Sequence, residues 1–261
     1  MYLKRLLILI LFILCTSQLF ADKLKDIKTS GILKAGVKYD FEPFGFLDES
    51  NNVVGFDIDL LKYIGNQLNV KVEFIKVTSK NRIELLEKGA VDIVAASMTH
   101  KVSRDATIDF SISYFFDGQS FLARKNSKKR NAEGFNGKYV GAIEGSTSGE
   151  NLRKIAPKAQ VIYFAEYSDA IKALKEGKID AITTDLVWCT TQANKSEGVF
   201  KVIDDVISFE PYGMGLPENE SNFRDQINLL IQEAVKDGSY AKYYQKWFKE
   251  DPKRLPEVWP E

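Results

Sequence analysis

The chain has 261 residues, 44% of them hydrophobic, with 36 basic and 36 acidic side chains and one histidine. That balance provides no field to gather nucleic acid or an anionic membrane, so neither is expected as a partner. A lone His100 excludes a multi-histidine metal centre, the cysteines are too few for a zinc site, and no cofactor is expected.

The first residues predict export. Lys4 and Arg5 precede an unbroken apolar run from Leu6 to Leu14, followed by Cys15-Thr16-Ser17-Gln18 and Ala21. A positive start, a short apolar core and a small residue before a charged one describe a cleaved signal peptide over residues 1–21. The run is too short to span a bilayer, which needs about 20 apolar residues, and no later stretch approaches that length. The mature protein is therefore expected to be soluble and periplasmic or otherwise extracytoplasmic. Leu14 stands where a lipoprotein signal has Gly, Ala or Ser, which argues against a lipid anchor on Cys15. Cleavage leaves two more acidic than basic residues and a single thiol, Cys189, expected to be buried and inert.

Beyond the leader, Gly31 to Val37 reads as a strand, and Ile58, Leu60, Leu61, Ile64 and Leu68 recur at helical spacing. Val70, Val72, Phe74 and Val77 return nearly to period two. A helix carrying Ile83, Leu85 and Leu86 stops at Gly89, and Val91 to Ala95 reads as a buried strand. This β-α-β-α-β order predicts a mostly parallel sheet covered by helices.

The order then repeats. Lys138 to Ile143, Val161 to Phe164 and Ile179 to Thr183 read as strands, with helices over Gly149 to Ile155 and Asp169 to Glu176. Leu86 to Val94 and Leu174 to Ile182 share L-x-x-G-x-[VI]-D-x-[VI] at the same stage of each half, which argues for two α/β lobes. Lys125 to Arg130 is a solvated loop just past a crossover. A strand-like segment, Ser208 to Leu216, precedes an apolar helical stripe from Phe223 to Val235. The aromatic cluster Tyr240, Tyr243, Tyr244, Trp247 and Phe248 reads as core packing.

Several motifs resemble the family-3 periplasmic solute-binding proteins, the amino-acid receptors of ABC importers. Gly55-Phe56-Asp57-Ile58-Asp59-Leu60 matches that family's signature at its first long helix. Phe41-Glu42-Pro43-Phe44, Arg104, Asp109-Phe110-Ser111 and Trp247-Phe248 follow in the expected order. The resemblance spans the mature chain. It implies two Rossmann-like α/β lobes joined by a two-strand hinge, the type II periplasmic-binding-protein fold. Lobe 1 would comprise 22–115 and 216–261, and lobe 2 would comprise 116–215, with hinge crossings near Phe116 to Gln119 and Phe209 to Gly215.

A free amino acid carries a carboxylate and an ammonium, and burying either unpaired is costly, so a receptor must offer each an opposite charge. Arg104 suits the carboxylate through its guanidinium fork, with Ser97 and Thr99 at the end of a buried-strand run, where parallel sheets place ligands. The resemblance assigns these positions to the ligand carboxylate; the alternative is a surface arginine in a charged turn. Thr147, in a loop opening a helix, would hold the same carboxylate or simply cap the helix. Asp185, the last residue of D-A-I-T-T-D, resembles the position that receives the ligand ammonium, whereas Asp180 reads as structural.

Thr78-Ser79-Lys80-Asn81-Arg82-Ile83 resembles a segment of glutamate/aspartate-binding members in which the Ser and the Arg meet the ligand. Arg82 would face a side-chain carboxylate, with Lys38 as a second cation. Both have surface alternatives, and Glu42 is a rival partner for Lys38. Phe41 stands where receptors for glutamine or basic amino acids place an aromatic, and Tyr167 where a glutamate-binding relative has histidine. The expected ligand is therefore glutamate or aspartate, with glutamine or another polar amino acid as alternative. The expected role is that of a monomeric receptor delivering a free amino acid to a membrane permease, without catalysis. One enzyme class, the periplasmic cyclohexadienyl dehydratases, shares the fold, but no Glu here is marked as the protonated acid that chemistry needs. An adhesin or a sensory ectodomain is a further alternative.

Overall fold

The computed structural model describes residues 22–203, 205–252 and 255, so the readings on the leader, including Cys15, lie outside the described residues. The first half runs α1 (Lys23–Ser30), β1 (Ile32–Val37), β2 (Asp40–Phe41), β3 (Gly45–Leu47), β4 (Val53–Val54), α2 (Phe56–Leu68), β5 (Lys71–Lys76), α3 (Arg82–Glu87), β6 (Ile93–Val94), α4 (Val102–Asp105) and β7 (Asp109–Phe110). The chain crosses through β8 (Phe115–Asp117) into β9 (Gln119–Arg124), β10 (Tyr139–Ile143), α5 (Ser148–Ile155), β11 (Gln160–Phe164), α6 (Tyr167–Lys175), β12 (Ala181–Asp185), α7 (Leu186–Lys195) and β13 (Phe200–Ile203). It returns through β14 (Glu210–Tyr212) to β15 (Gly215–Leu216) and ends in α8 (Ser221–Lys236) and α9 (Ser239–Phe248).

Two five-stranded sheets result, ordered β5-β1-β6-β15-β7 and β11-β10-β12-β9-β13. Both sheets are mostly parallel, as expected: four of the five strands in each run one way, and only β15 in the first and β9 in the second run against their neighbours. The reason lies in connectivity: β15 and β9 are each fed by the chain arriving from the other half, so they enter against the βαβ direction. The strand expected over Ser208 to Leu216 is correspondingly split. β14 pairs with β8 in a separate two-stranded ribbon, and β15 joins the first sheet.

The repeated motif has one structural job in both halves. Asp92 accepts from Lys34 N at 2.9 Å while its own N–H donates to Lys34 O, which ties the loop before β6 to β1. Asp180 does the same for β10, accepting from Tyr139 N at 3.1 Å and donating to Tyr139 O. The glycines of the motif, Gly89 and Gly177, take φ values of 67° and 75°, the left-handed geometry that ends a helix.

The tail returns to the first lobe. Phe56 on α2 is fully buried, and Tyr240, Tyr244 and Phe248 from α9 pack around it with ring centroids 5.2–6.0 Å away. Each large apolar side chain removed from water in this way contributes about 1.5–3 kcal/mol. Trp247 Nε1 donates to Asp59 at 2.8 Å, which fixes α9 against α2. Cys189 is buried, and burial pushes its thiol pKa well up, as an inert thiol requires.

The entry to α2 depends on Gly55. Its φ is 138°, and a Cβ there would lie 2.0 Å from the Phe44 carbonyl oxygen. G55A is expected to lose roughly 3 kcal/mol or more of stability, because clash and backbone strain add at one position. Urea unfolding that showed a loss below about 1 kcal/mol would contradict this account of the helix start.

Candidate ligand-binding site

Apart from Phe41 on β2 and Asp185 at the end of β12, the candidate side chains named from the sequence lie on a connection leaving the carboxyl end of a strand, or on the first turn of the helix that follows. Lys38 follows β1, Ser79 and Arg82 follow β5, and Ser97, Thr99 and Arg104 follow β6. Across the cleft, Thr147 follows β10, Tyr167 follows β11, and Asp185 ends β12. With Phe41, these ten residues line one cavity, together with Ala96, Ser146 and Ser148. Arg104 from one lobe and Asp185 from the other thus share a single enclosed space.

The alternatives that placed Arg82 or Lys38 at the surface do not hold, since both are 3% exposed. Nor does Glu42 neutralise Lys38, because it pairs with Lys195 at 2.5 Å instead. Lys38 Nζ donates to Ser79 Oγ at 2.9 Å and sits 5.6 Å and 5.3 Å from the ring centroids of Phe41 and Tyr167. Arg82 Nη1 donates to Ala96 O at 2.6 Å, and Arg104 donates to Thr99 O at 2.8 Å and across the cleft to Gly145 O at 3.0 Å. Among the described residues, no carboxylate lies within ion-pair distance of Lys38, Arg82 or Arg104.

Burial dominates the titration of all three. It pushes Lys38 down to about 8, with Arg82 adding to the shift and Asp40 opposing it. Burial and the neighbouring Arg104 charge push Arg82 down to about 9, and Arg104 is also lowered by burial, opposed by Glu210 and Asp185. Two further polar atoms, Arg82 Nε and Ser97 Oγ, are buried with no hydrogen-bond partner among the described residues. Leaving such groups unmatched costs about 1–3 kcal/mol each. Ser97 also holds φ at 48°, an uncommon value for a residue with a Cβ.

The carboxylates behind the lining are the part that sequence reasoning missed. Tyr212 on β14 donates to Asp185 at 2.5 Å and lies 3.4 Å from Asp117 on β8, so the two carboxyl groups share one phenol. Burial raises both, and the Asp185 charge adds to the rise of Asp117 to about 8. Asp57, at the start of α2, is raised to about 7 by burial, while accepting from Tyr114 at 2.9 Å and Ser97 N at 3.3 Å. Glu210 accepts from Thr99 at 2.5 Å and Thr147 at 3.2 Å, one hydroxyl from each lobe. The hydroxyl protons expected at a ligand carboxylate are directed at Glu210 in this form. Its signal lay in the sequence Phe209-Glu210-Pro211-Tyr212, a charge between aromatics inside an apolar segment.

The lobes meet closely at the rim. Lys76–Glu166, Lys80–Glu144 and Lys101–Glu150 bridge them at 2.9, 2.8 and 2.6 Å, alongside the reversed Glu42–Lys195 pair. Each contributes little and is screened by salt. Tyr167 N also donates across the cleft to Asp40 at 3.1 Å.

Two α/β lobes joined by a two-stranded ribbon, with an enclosed charged cavity between them, define a solute-binding protein. Residues 33–250 match the family described as bacterial extracellular solute-binding proteins, family 3. The chain belongs to that family. It is 38% identical over 236 residues to the ABC transporter glutamine-binding protein GlnH of Bacillus subtilis (strain 168), covering 88% of this chain and 86% of the relative. To the glutamine-binding protein of Geobacillus stearothermophilus it is 40% identical over 209 residues, with 77% and 79% covered. To the glutamate/aspartate import solute-binding protein of Escherichia coli (strain K12) it is 27% identical over 248 residues, with 89% and 82% covered. Among solved structures, an ancestral arginine-binding protein bound to glutamine aligns with TM-score 0.81 at 38% identity, covering 84% of this chain and 99% of that one. The ancestral amino acid-binding protein AncCDT-1, a precursor of cyclohexadienyl dehydratase, aligns with TM-score 0.82 at 32% identity, covering 86% and 99%. These neighbours establish the type II binding-protein fold. No helix among the described residues is long and apolar enough to cross a membrane.

Gly145 sets how near the lobes come. Its φ is 77°, and a Cβ there would lie 2.4 Å from Ser79 O and 2.7 Å from Lys80 Cα, both on the opposite lobe. The strain of alanine in that backbone is about 1–2 kcal/mol, but the clash exists only when the lobes are together. G145A is expected to stay folded yet remain expanded in small-angle scattering with a mixture of the common amino acids, while the unsubstituted protein compacts. Equal compaction of both would refute the role given to this contact.

Proposed function

We propose that this protein is an extracytoplasmic amino-acid receptor that hands its ligand to an ABC permease, and that glutamate is the ligand it prefers. The reading rests on one observation: three cations are buried around a small cavity with one carboxylate in its lining and no ion pair among them. A ligand carrying two carboxylates and one ammonium supplies what that arrangement lacks.

In this reading Arg104 takes the main-chain carboxylate together with the backbone N–H groups that open α5 beside Thr147, which have no partner within the helix. Asp185 takes the ammonium. Arg82 and Lys38, with Ser79, take the side-chain carboxylate between the rings of Phe41 and Tyr167. Ribbon strands β8 and β14 act as the hinge, and the closed form, completed by contacts to both lobes, is what the permease recognises. The receptor works as a monomer.

A second reading, glutamine, is favoured by the two relatives of 38% and 40% identity that are named for it. Its carboxamide oxygen accepts from Arg82 or Lys38 as well, but its NH2 group finds only hydroxyl oxygens among the lining side chains near those cations. A dehydratase reading is disfavoured by the lining. No glutamate lines the cavity, and its one carboxylate, Asp185, already accepts from Tyr212 and Thr184.

Titration calorimetry with glutamate, aspartate, glutamine and arginine tests the assignment. Glutamate is expected to bind tightest, and R82M to weaken it by about 100-fold or more while costing glutamine less. Tighter glutamine binding by the unsubstituted protein would establish the second reading, and arginine alone would refute both.

Lys38 adds a pH signature. Because its pKa is depressed to about 8, the charge that a side-chain carboxylate needs is present below that value and lost above it. Glutamate affinity is therefore expected to fall from pH 7 to 8.5 more steeply than glutamine affinity, and K38M to remove much of that difference. Parallel pH profiles for the two ligands would remove Lys38 from the side-chain site.

A further inference from the structure

Glu210 is 2% exposed, on one of the two strands that join the lobes. Its carboxylate accepts from Ser208 at 2.6 Å and Thr99 at 2.5 Å, and from Asn151 at 2.9 Å and Thr147 at 3.2 Å. All four donors are neutral, and among the described residues no cation reaches ion-pair distance of it. A glutamine could accept from several of the same groups. Hydrogen bonding therefore explains why a polar residue stands here, but not why it is charged.

The charge acquires a purpose when it is counted with the cavity. Lys38, Arg82 and Arg104 line the cavity against Asp185 alone. Glu210 lies one hydroxyl away from that lining, on the far side of Thr99 and Thr147, in surroundings where burial leaves little water to screen it. Its field reaches the site, since it holds up the pKa of Arg104 and raises that of Asp185.

We infer that Glu210 is a specificity-determining residue: a second carboxylate, placed behind the threonines of both lobes, that sets how much negative charge the site demands of its ligand. This deepens the amino-acid reading above and rests on it. Counted with the lining charges alone, Glu210 lowers the excess of cations from two to one, which brings it nearer to what an acidic amino acid balances and a neutral one leaves only modestly unbalanced. Without it, the excess returns to two, and a neutral ligand is penalised further relative to an acidic one. Because Thr99 and Thr147 give their protons to Glu210, the ligand carboxylate is left to Arg104 and backbone N–H groups. The balance of charge, rather than the hydroxyls, then decides selection.

The test compares glutamate and glutamine affinities by calorimetry in the unsubstituted protein, E210Q, E210S and E210D. In the two neutral variants the ratio Kd(glutamine)/Kd(glutamate) is expected to rise by at least about fivefold, the size of one unit charge acting across a partly screened interior. E210D keeps the charge, so its ratio should stay within about twofold of the unsubstituted value even if both affinities fall. A general loss of structure lowers both affinities and leaves the ratio alone, so an unmoved ratio, or one that shifts toward glutamine, overturns the inference. Failure of both neutral variants to fold while E210D folds assigns Glu210 to stability and overturns it too. An unsubstituted protein that binds neither amino acid refutes the ligand reading and this inference with it, whereas binding with an unmoved ratio refutes the inference alone.

Discussion

Desolvated positive charge is the constraint around which this molecule is arranged. Lys38, Arg82 and Arg104 are held out of water with only neutral atoms within bonding reach, and such groups keep their charge only where the scaffold prevents them from turning outward. The fold supplies that restraint. All three lie on segments leaving the carboxyl ends of the first sheet, where short connections allow little freedom. Ala96 O and Thr99 O then take one guanidinium hydrogen bond each, which aims the remaining donors inward. The depressed pKa values are the thermodynamic trace of this placement: free energy is stored that an anionic group can release.

A second layer keeps that stored energy from being spent within the protein. The carboxylates that might have collapsed onto the cations are occupied elsewhere. Asp185 is engaged by Tyr212 and Thr184, Asp57 by Tyr114 and Ser97, and Glu210 by hydroxyls and an amide. Neutral donors satisfy these acceptors without forming ion pairs. Like and unlike charges therefore remain within range of one another without contact, and a zwitterion can enter between them.

Much of this was legible in the sequence because its signals are local. The repeated L-x-x-G-x-[VI]-D-x-[VI] implied two lobes. Its Asp92 and Asp180 prove to make matching bonds to Lys34 and Tyr139. Ten of the thirteen lining residues could be named because they sit at or near the ends of strands, most of which periodicity marks, and the family motifs fix the order. The reversed direction of β9 and β15 was not legible, since it depends on which lobe the chain arrives from. Asp117, Tyr212 and Glu210 escaped for a related reason. Asp117 and Tyr212 meet only because β8 and β14 pair, although the two residues stand 95 positions apart. Glu210 stands directly before Pro211 in a segment whose proline and glycines mark it as a backbone crossing, which gives no local sign that the charge faces the site.

The distribution of charge also separates closure from selection. The rim pairs, among them Lys80–Glu144 and Lys101–Glu150, are partly exposed, so water and salt weaken them and they cannot distinguish one ligand from another. They can only bias the lobes toward one another, a task for which weak and reversible contacts are suited, because a receptor that closed too firmly would not release what it carries. The deep charges have the opposite character: they are few, unpaired and fixed, and their energy is realised only by a group that fits between the lobes. Close approach at Gly145 links the two, because the rim can bring Ser79 and the loop before α5 together only while no side chain stands between them. In the proposed cycle, selection is imposed at the instant of closure, when the last water leaves and an unmatched charge becomes most expensive.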